Sequence, residues 1–70
     1  MPFWADPRPI DLNTAELGDL LLLPGIGRRP AERIIEFREE HGGFRSVDDL
    51  FAISEIPKER LARIRPFVRV

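Results

Sequence analysis

Leu23-Pro24-Gly25-Ile26-Gly27 lies between two runs with the apolar spacing of helices, Thr14–Leu22 and Arg28–His41. Two glycines one residue apart let the backbone take positive φ where a side chain would clash. Pro24 drives Leu23 out of the α region, so the first helix is expected to stop by Leu22. Gly27 hands over directly to a helix that opens with Arg28 and Arg29. The free N–H groups of that helix start, at the positive end of its dipole, make a ready site for an anion. The glycines let the anion approach the backbone closely, and Ile26 between them is placed to plug the core. The turn is therefore read as a grip for a nucleic-acid phosphate.

Working outward, the helix after the turn is expected to run to about His41. Pro30 falls in its first turn, where no intrahelical N–H is lost. Ala31, Ile34, Ile35 and the stem of Arg38 share one face. Gly42-Gly43 ends the helix, with Gly42 as the left-handed residue. His41, the single histidine, sits in the last turn, where contact with the helix C-terminus is a better reading than metal ligation. Before the turn, Asn13-Thr14-Ala15-Glu16 has the pattern of a capping box. Leu17, Leu20 and Leu21 then give an i, i+3, i+4 stripe, and Leu23 caps the buried end.

Further along, Phe44 is expected to return to the core. Ser46 to Asp49 reads as a second capping box, opening a short helix over Val47–Ala52. Ile53–Pro57 is a turn, and a fourth helix runs from Pro57 or Lys58 to about Arg65, with Leu61 and Ile64 facing inward. Residues 66–70 form an extended end that can pair with, or pack on, the opening segment. A shift of 30 aligns the halves: Leu20, Leu23 and Ile26 fall on Leu50, Ile53 and Ile56, and Arg28, Arg33 and Ile34 fall on Lys58, Arg63 and Ile64. In the second copy Gly25 becomes Glu55, which puts a negative charge where a phosphate would sit. Gly27 becomes Pro57, which removes a donor. Two helical hairpins related by an approximate twofold would bury one shared core.

Seventy residues make one small domain, expected to bury ~60% of its unfolded surface and to be stable by a few kcal/mol. Forty-three per cent hydrophobic residues suffice for a packed core. Met1–Pro9 is read as a proline-rich tail and residues 10–70 as the folded domain. In the tail, Trp4 is expected to fold back as an apolar anchor or stay exposed rather than stack on a base. No cysteine is present, which excludes disulfides and zinc-thiolate sites. No run is long enough to span a membrane, and Met1–Ile10 lacks the apolar core of a signal peptide. The net charge is −1, from 11 basic and 12 acidic residues, which argues against a long basic surface. A local one remains open, because seven of the 11 basic residues lie in Arg28–Arg33 and Lys58–Arg65.

Leu-Pro-Gly-Ile-Gly followed by Ala31 and Ile34-Ile35 resembles the helix-hairpin-helix motif. The wider pattern Asp11-Leu12-Asn13-Thr14-Ala15, Phe37-Arg38-Glu39-Glu40, Gly43-Phe44 and Asp48-Asp49-Leu50 is similar to the soluble domain of the ComEA competence DNA-uptake proteins, over about Ile10 to Val70. The resemblance implies an all-α domain of about four short helices forming two helix-hairpin-helix motifs, the second degenerate. It implies non-sequence-specific binding of double-stranded DNA, with the amides of Gly25, Ile26 and Gly27 on a phosphate and Arg28, Arg29 and Arg33 beside it. Lys58 and Arg60 are expected to add a weaker second contact. Partners implied are DNA-uptake or DNA-processing proteins. Some members of the wider family hold a monovalent cation on the carbonyls of the turn; no other cofactor is expected. ComEA proteins usually carry an anchor or secretion signal, which leaves the compartment open between periplasm or cell surface and cytoplasm.

Two other readings stand beside this one. The glycine turn can be a plain αα connection with the arginines as a solvated face, in a protein-interaction or assembly module of the same fold. An enzyme is not expected. Ser46 and Ser54 serve as cap and turn residues, and the adjacent pairs Glu39-Glu40 and Asp48-Asp49 do not converge into an acid/base couple.

Overall fold

The chain order is β1 (Ile10–Asp11), α1 (Leu17–Leu20), α2 (Arg28–His41), a 3-10 helix (Val47–Ala52), α3 (Lys58–Ile64), a 3-10 turn (Arg65–Phe67) and β2 (Val68–Arg69). This is a computed structural model, and it describes residues 9–70. The expectations for Phe3, Trp4 and the rest of 1–8 lie outside the described residues. Four helices make an all-α fold of two hairpins, α1–α2 and the 3-10 helix–α3, joined by Gly42–Ser46.

The 30-residue repeat is carried by the backbone. The Leu23 N–H donates to Leu20 O at 3.1 Å, and Ile53 N–H to Leu50 O at 3.0 Å. Ile26 N–H reaches Leu23 O at 3.2 Å, and Ile56 N–H reaches Ile53 O at 3.0 Å. Each second helix then opens alike, with Ala31 N–H on Gly27 O at 3.1 Å and Leu61 N–H on Pro57 O at 2.9 Å. Gly27 and Pro57 share the extended N-cap conformation that a proline takes readily (φ −89, ψ −170 and φ −69, ψ 164). The side chains follow the backbone. Leu20, Leu23, Ile26 and Ile34 are buried with their repeat partners Leu50, Ile53, Ile56 and Ile64 in one core. Neither hairpin has enough apolar surface of its own to enclose such a core, so each supplies the other's missing wall.

The end of α2 follows the sequence closely. Gly42 takes φ +72, and Gly43 N–H returns to Arg38 O at 2.9 Å. The His41 ring lies on Phe37, with centroids 4.1 Å apart, and Phe37 stacks on Phe44 at 4.8 Å. Phe44 is buried. Ser46 Oγ accepts from Asp48 N–H at 3.1 Å, and Asp49 Oδ2 accepts from Arg45 N–H at 2.8 Å and Ser46 N–H at 3.3 Å. The second capping box is therefore in place.

The start of the first helix differs from expectation. Helix α1 is one short turn, Leu17–Leu20, rather than Thr14–Leu22. Asp11 starts a separate turn: its Oδ1 accepts from Asn13 N–H at 2.8 Å, and its carbonyl accepts from Ala15 N–H at 2.9 Å. Asn13 does not cap a helix, because its amide is used elsewhere. Its Oδ1 accepts from Phe44 N–H at 2.6 Å, and its Nδ2 donates to Phe44 O at 3.1 Å. The cap moves three residues on, to Glu16, whose N–H donates to Asp19 Oδ2 at 3.0 Å. The leucine stripe shifts with it. Leu20 is fully buried and Leu17 packs against the core, but Leu21 is 42% exposed.

Two further contacts tie the ends together. Arg38 Nη1 donates to Leu12 O at 3.0 Å and Ala15 O at 2.8 Å, so it fastens the Asp11 turn to α2. Strands β1 and β2 pair in parallel, Ile10 with Val68 and Asp11 with Arg69. Leu12 N–H extends the ladder to Arg69 O at 2.8 Å. The C-terminal segment thus pairs with the opening one, but only Val68–Arg69 is extended; Pro66 and Phe67, expected to be extended, lie in the 3-10 turn that closes α3.

Candidate functional site

The first hairpin turn is built around Ile26, whose side chain is buried in the core. The glycines on either side of it do different jobs. Gly25 takes φ +74, which favours glycine, and a Cβ there would lie 3.3 Å from Nε of Arg60. Gly27 takes φ −89 in extended backbone, and a Cβ there would meet nothing within 4 Å. The expectation of positive φ at both glycines is thus met only at Gly25. Nothing in the fold requires glycine at 27, and its solvent side is open.

The expected set of three turn amides becomes two. Ile26 N–H is occupied by Leu23 O. The N–H groups of Gly25 and Gly27 donate to no acceptor among the described residues, and neither do those of Arg28 and Arg29 at the start of α2. Unlike the first turn, the second lacks the donor at the helix N-cap. Pro57 has no N–H, and the Glu55 side chain sets a carboxylate beside the turn. No residue other than glycine has positive φ among the described residues, so Glu55 does not copy the Gly25 conformation either.

The basic side chains fall into two groups. Arg28, Arg29 and Arg33 line the start of α2, and each has an acidic neighbour. Arg28 Nε lies 3.2 Å from Glu32 Oε2, an i, i+4 pair on the exposed face. Arg29 Nε is 3.8 Å from Glu55 Oε2, and Arg33 Nε is 3.2 Å from Glu55 Oε1. Arg33 Nη1 also meets Glu36. The Arg33 guanidinium is therefore held above its ordinary value, by hydrogen bonding to Glu36 first and to Glu55 second. The Glu55 carboxyl is held below its ordinary value, chiefly by its own backbone N–H, then by hydrogen bonds from Arg33 and Ser54, against an opposing effect of burial. Arg29, Glu32, Arg33, Glu36 and Glu55 together line an open groove of about 250 Å³.

The second group comes from α3. Lys58 is exposed and Arg60 half-buried, and neither forms an ion pair among the described residues. Arg60, expected with Lys58 to add a weaker second contact, reaches across to the first hairpin. Its Nε and Cδ lie 3.3 and 3.7 Å from where a Cβ on Gly25 of the first turn would stand. Arg60 is thus brought beside the first candidate site. Sequence spacing does not reveal this approach, because it depends on how the hairpins dock. The sign of the Glu55 charge was visible in the sequence, but its arginine partners were not.

Residues 7–69 match the family described as the helix-hairpin-helix motif. The chain belongs to the helix-hairpin-helix family. Its relatives include ComE operon protein 1 of Bacillus subtilis, 34% identical over 61 residues, which cover 87% of this chain and 30% of that protein. Another is an endonuclease/exonuclease/phosphatase family domain-containing protein 1, which in Xenopus laevis is 38% identical over 56 residues, covering 80% of this chain and 10% of that protein. The same-named protein of Rattus norvegicus is 42% identical over 59 residues, again 10% of its length. This helix-hairpin-helix chain therefore spans about a tenth of the vertebrate proteins and under a third of the Bacillus one. No helix among the described residues is long and apolar enough to cross a membrane.

Proposed function

We propose that the chain is a non-enzymatic module that binds the phosphate backbone of duplex DNA without sequence preference, through the first hairpin. The observation that carries this reading is the pair of unengaged amides at Gly25 and Gly27, with the Arg60 guanidinium lying on Gly25. Two N–H groups and a planar cation beside a helix start suit one phosphate oxyanion. Backbone amides and phosphate-directed arginines carry no base information, so the binding is non-specific. Arg28 and Arg29 flank the site, Arg33 lies one turn along α2, and Lys58 extends the positive edge from α3. Membership of the helix-hairpin-helix family and the ComEA-type relative support a place in DNA uptake.

Contact with about two phosphates gives a salt slope near −1.8 and an affinity no better than ~10⁻⁴ to 10⁻⁶ M. Fluorescence anisotropy of a labelled duplex at several salt concentrations tests this. Arg60→Ala and the double variant Arg28→Ala/Arg29→Ala are each expected to weaken binding several-fold and to flatten the slope. Absence of a salt-dependent signal from the unaltered chain at low salt would remove the DNA reading.

A second reading, an assembly module, draws on exposed apolar side chains. Leu22, Phe51 and Phe67 are each at least half exposed, and Leu21 and Phe51 are repeat partners. Native mass spectrometry distinguishes the two readings: a stable complex with protein and no DNA response would favour assembly.

A further inference from the structure

Glu55 stands in the second turn where Gly25 stands in the first, and its carboxylate crosses to the first hairpin. Its two oxygens face two arginines of α2, Oε1 at 3.2 Å from Arg33 Nε and Oε2 at 3.8 Å from Arg29 Nε. Ser54 Oγ donates to Oε1 at 3.2 Å and helps to fix the carboxylate. The Glu55 side chain is only 22% exposed, whereas that of Arg29 is 81% exposed. A planar anion that joins two guanidinium groups one helical turn apart has the charge and the geometry of a bound phosphate.

We propose that Glu55 is a tethered stand-in for phosphate, which reserves Arg29 and Arg33 for a polymeric ligand and excludes small anions. The inference rests on the DNA reading above. A carboxylate held on a short tether competes at an effective concentration on the order of millimolar or more. Free phosphate or a mononucleotide below that level does not displace it. A duplex does, because its first phosphate docks on Gly25, Gly27 and Arg60, and its next phosphates then compete for Arg29 and Arg33 as tethered groups themselves. Glu55 thus sets the class of ligand, a contiguous polyanion, and lowers the affinity for it.

The test compares Glu55→Gln with Glu40→Gln in the full chain. Both remove one negative charge. Glu40 is exposed near the far end of α2, 11 residues from Arg29 and so about 16 Å along the axis. That exceeds the ~8 Å screening length at physiological salt. Glu55→Gln is expected to bind a labelled duplex at least about threefold tighter than Glu40→Gln at 0.15 M salt, with a slope steeper by about one. Inorganic phosphate is expected to shift the arginine Nε–H resonances of Glu55→Gln at concentrations that leave the unaltered chain unchanged. Glu55→Ala, run alongside with a thermal melt of each variant, keeps the outcome independent of one side chain's fit.

Equal binding by Glu55→Gln and Glu40→Gln overturns the inference and leaves the DNA reading intact. Weaker binding by a folded Glu55→Gln also overturns it, because Glu55 would then position the arginines rather than occupy them. If no variant binds duplex at low salt, the DNA reading falls and takes the inference with it.

Discussion

Gly25 sits at φ +74 with the Arg60 side chain lying over it. A side chain there costs about 1–3 kcal/mol in backbone strain and also pushes Arg60 away. Gly27→Ala faces open space at φ −89, and its cost is the weaker N-cap, below about 1 kcal/mol. Urea unfolding of the two variants is expected to separate them in that order. DNA anisotropy is expected to show a loss for both, because at Gly27 the new methyl group stands where an anion would approach. A Gly27→Ala variant that binds like the unaltered chain would show that this glycine is not part of the grip. Glu55 gives a second residue-scale prediction, in pH. Its ordinary value is 4.5, and in the folded chain it lies lower. The stability it confers is therefore complete above 4.5 and is lost as the pH falls through the folded value. The melting temperature of the unaltered chain is expected to fall towards that of Glu55→Gln on acidification from neutral pH, and the gap is read by circular dichroism. The need for glycine at 25 was legible in the sequence, since a turn after Pro24 demands it. The approach of Arg60 was not, because no local pattern encodes which side chain of one hairpin covers the turn of the other.

Among the elements, α2 and α1 show why one helix was readable and the other was not. Both ends of α2 are marked by glycine, and its apolar face is local in sequence, so its boundaries match the expectation. The capping pattern at Asn13–Glu16 is equally well formed, but it loses to a contact 31 residues away. Asn13 satisfies both the N–H and the C=O of Phe44 at the point where Gly43 takes φ +118. A two-sided bond to a loop backbone outweighs a single cap bond, and the helix starts at Leu17 instead. Asn13→Ala is accordingly expected to act on the loop rather than on the helix. It leaves two partly buried backbone groups without partners, at a cost of about 1–3 kcal/mol. Amide exchange is expected to rise at Phe44 while the Leu20 and Leu21 amides keep their protection. The reverse pattern would make Asn13 a helix cap after all.

At the scale of the whole molecule, the second hairpin matters to the first through the core they share, beyond the Arg60 side chain it lends to the turn. Shifting the sequence by 30 was enough to foresee this, because Ile34 and Ile64, like Leu20 and Leu50, fall at equivalent places and all four are fully buried in one core. The parallel pairing of β1 and β2 closes that core by joining the two ends of the described chain. A 70-residue domain of this kind holds only a few kcal/mol of stability. Ile64→Ala removes about 2–5 kcal/mol, comparable to the whole reserve, whereas Ile64→Val removes about 0.5–1.5. Ile64→Ala is therefore expected to unfold both hairpins in one transition and to abolish DNA binding at Gly25 and Gly27, although Ile64 makes no surface contact. Ile64→Val is expected to melt earlier yet bind with nearly the original affinity at 10 °C. If Ile64→Ala instead lost the α3 signal while the α2 amides stayed protected, the hairpins would be separable units, and the second would be support the first could do without.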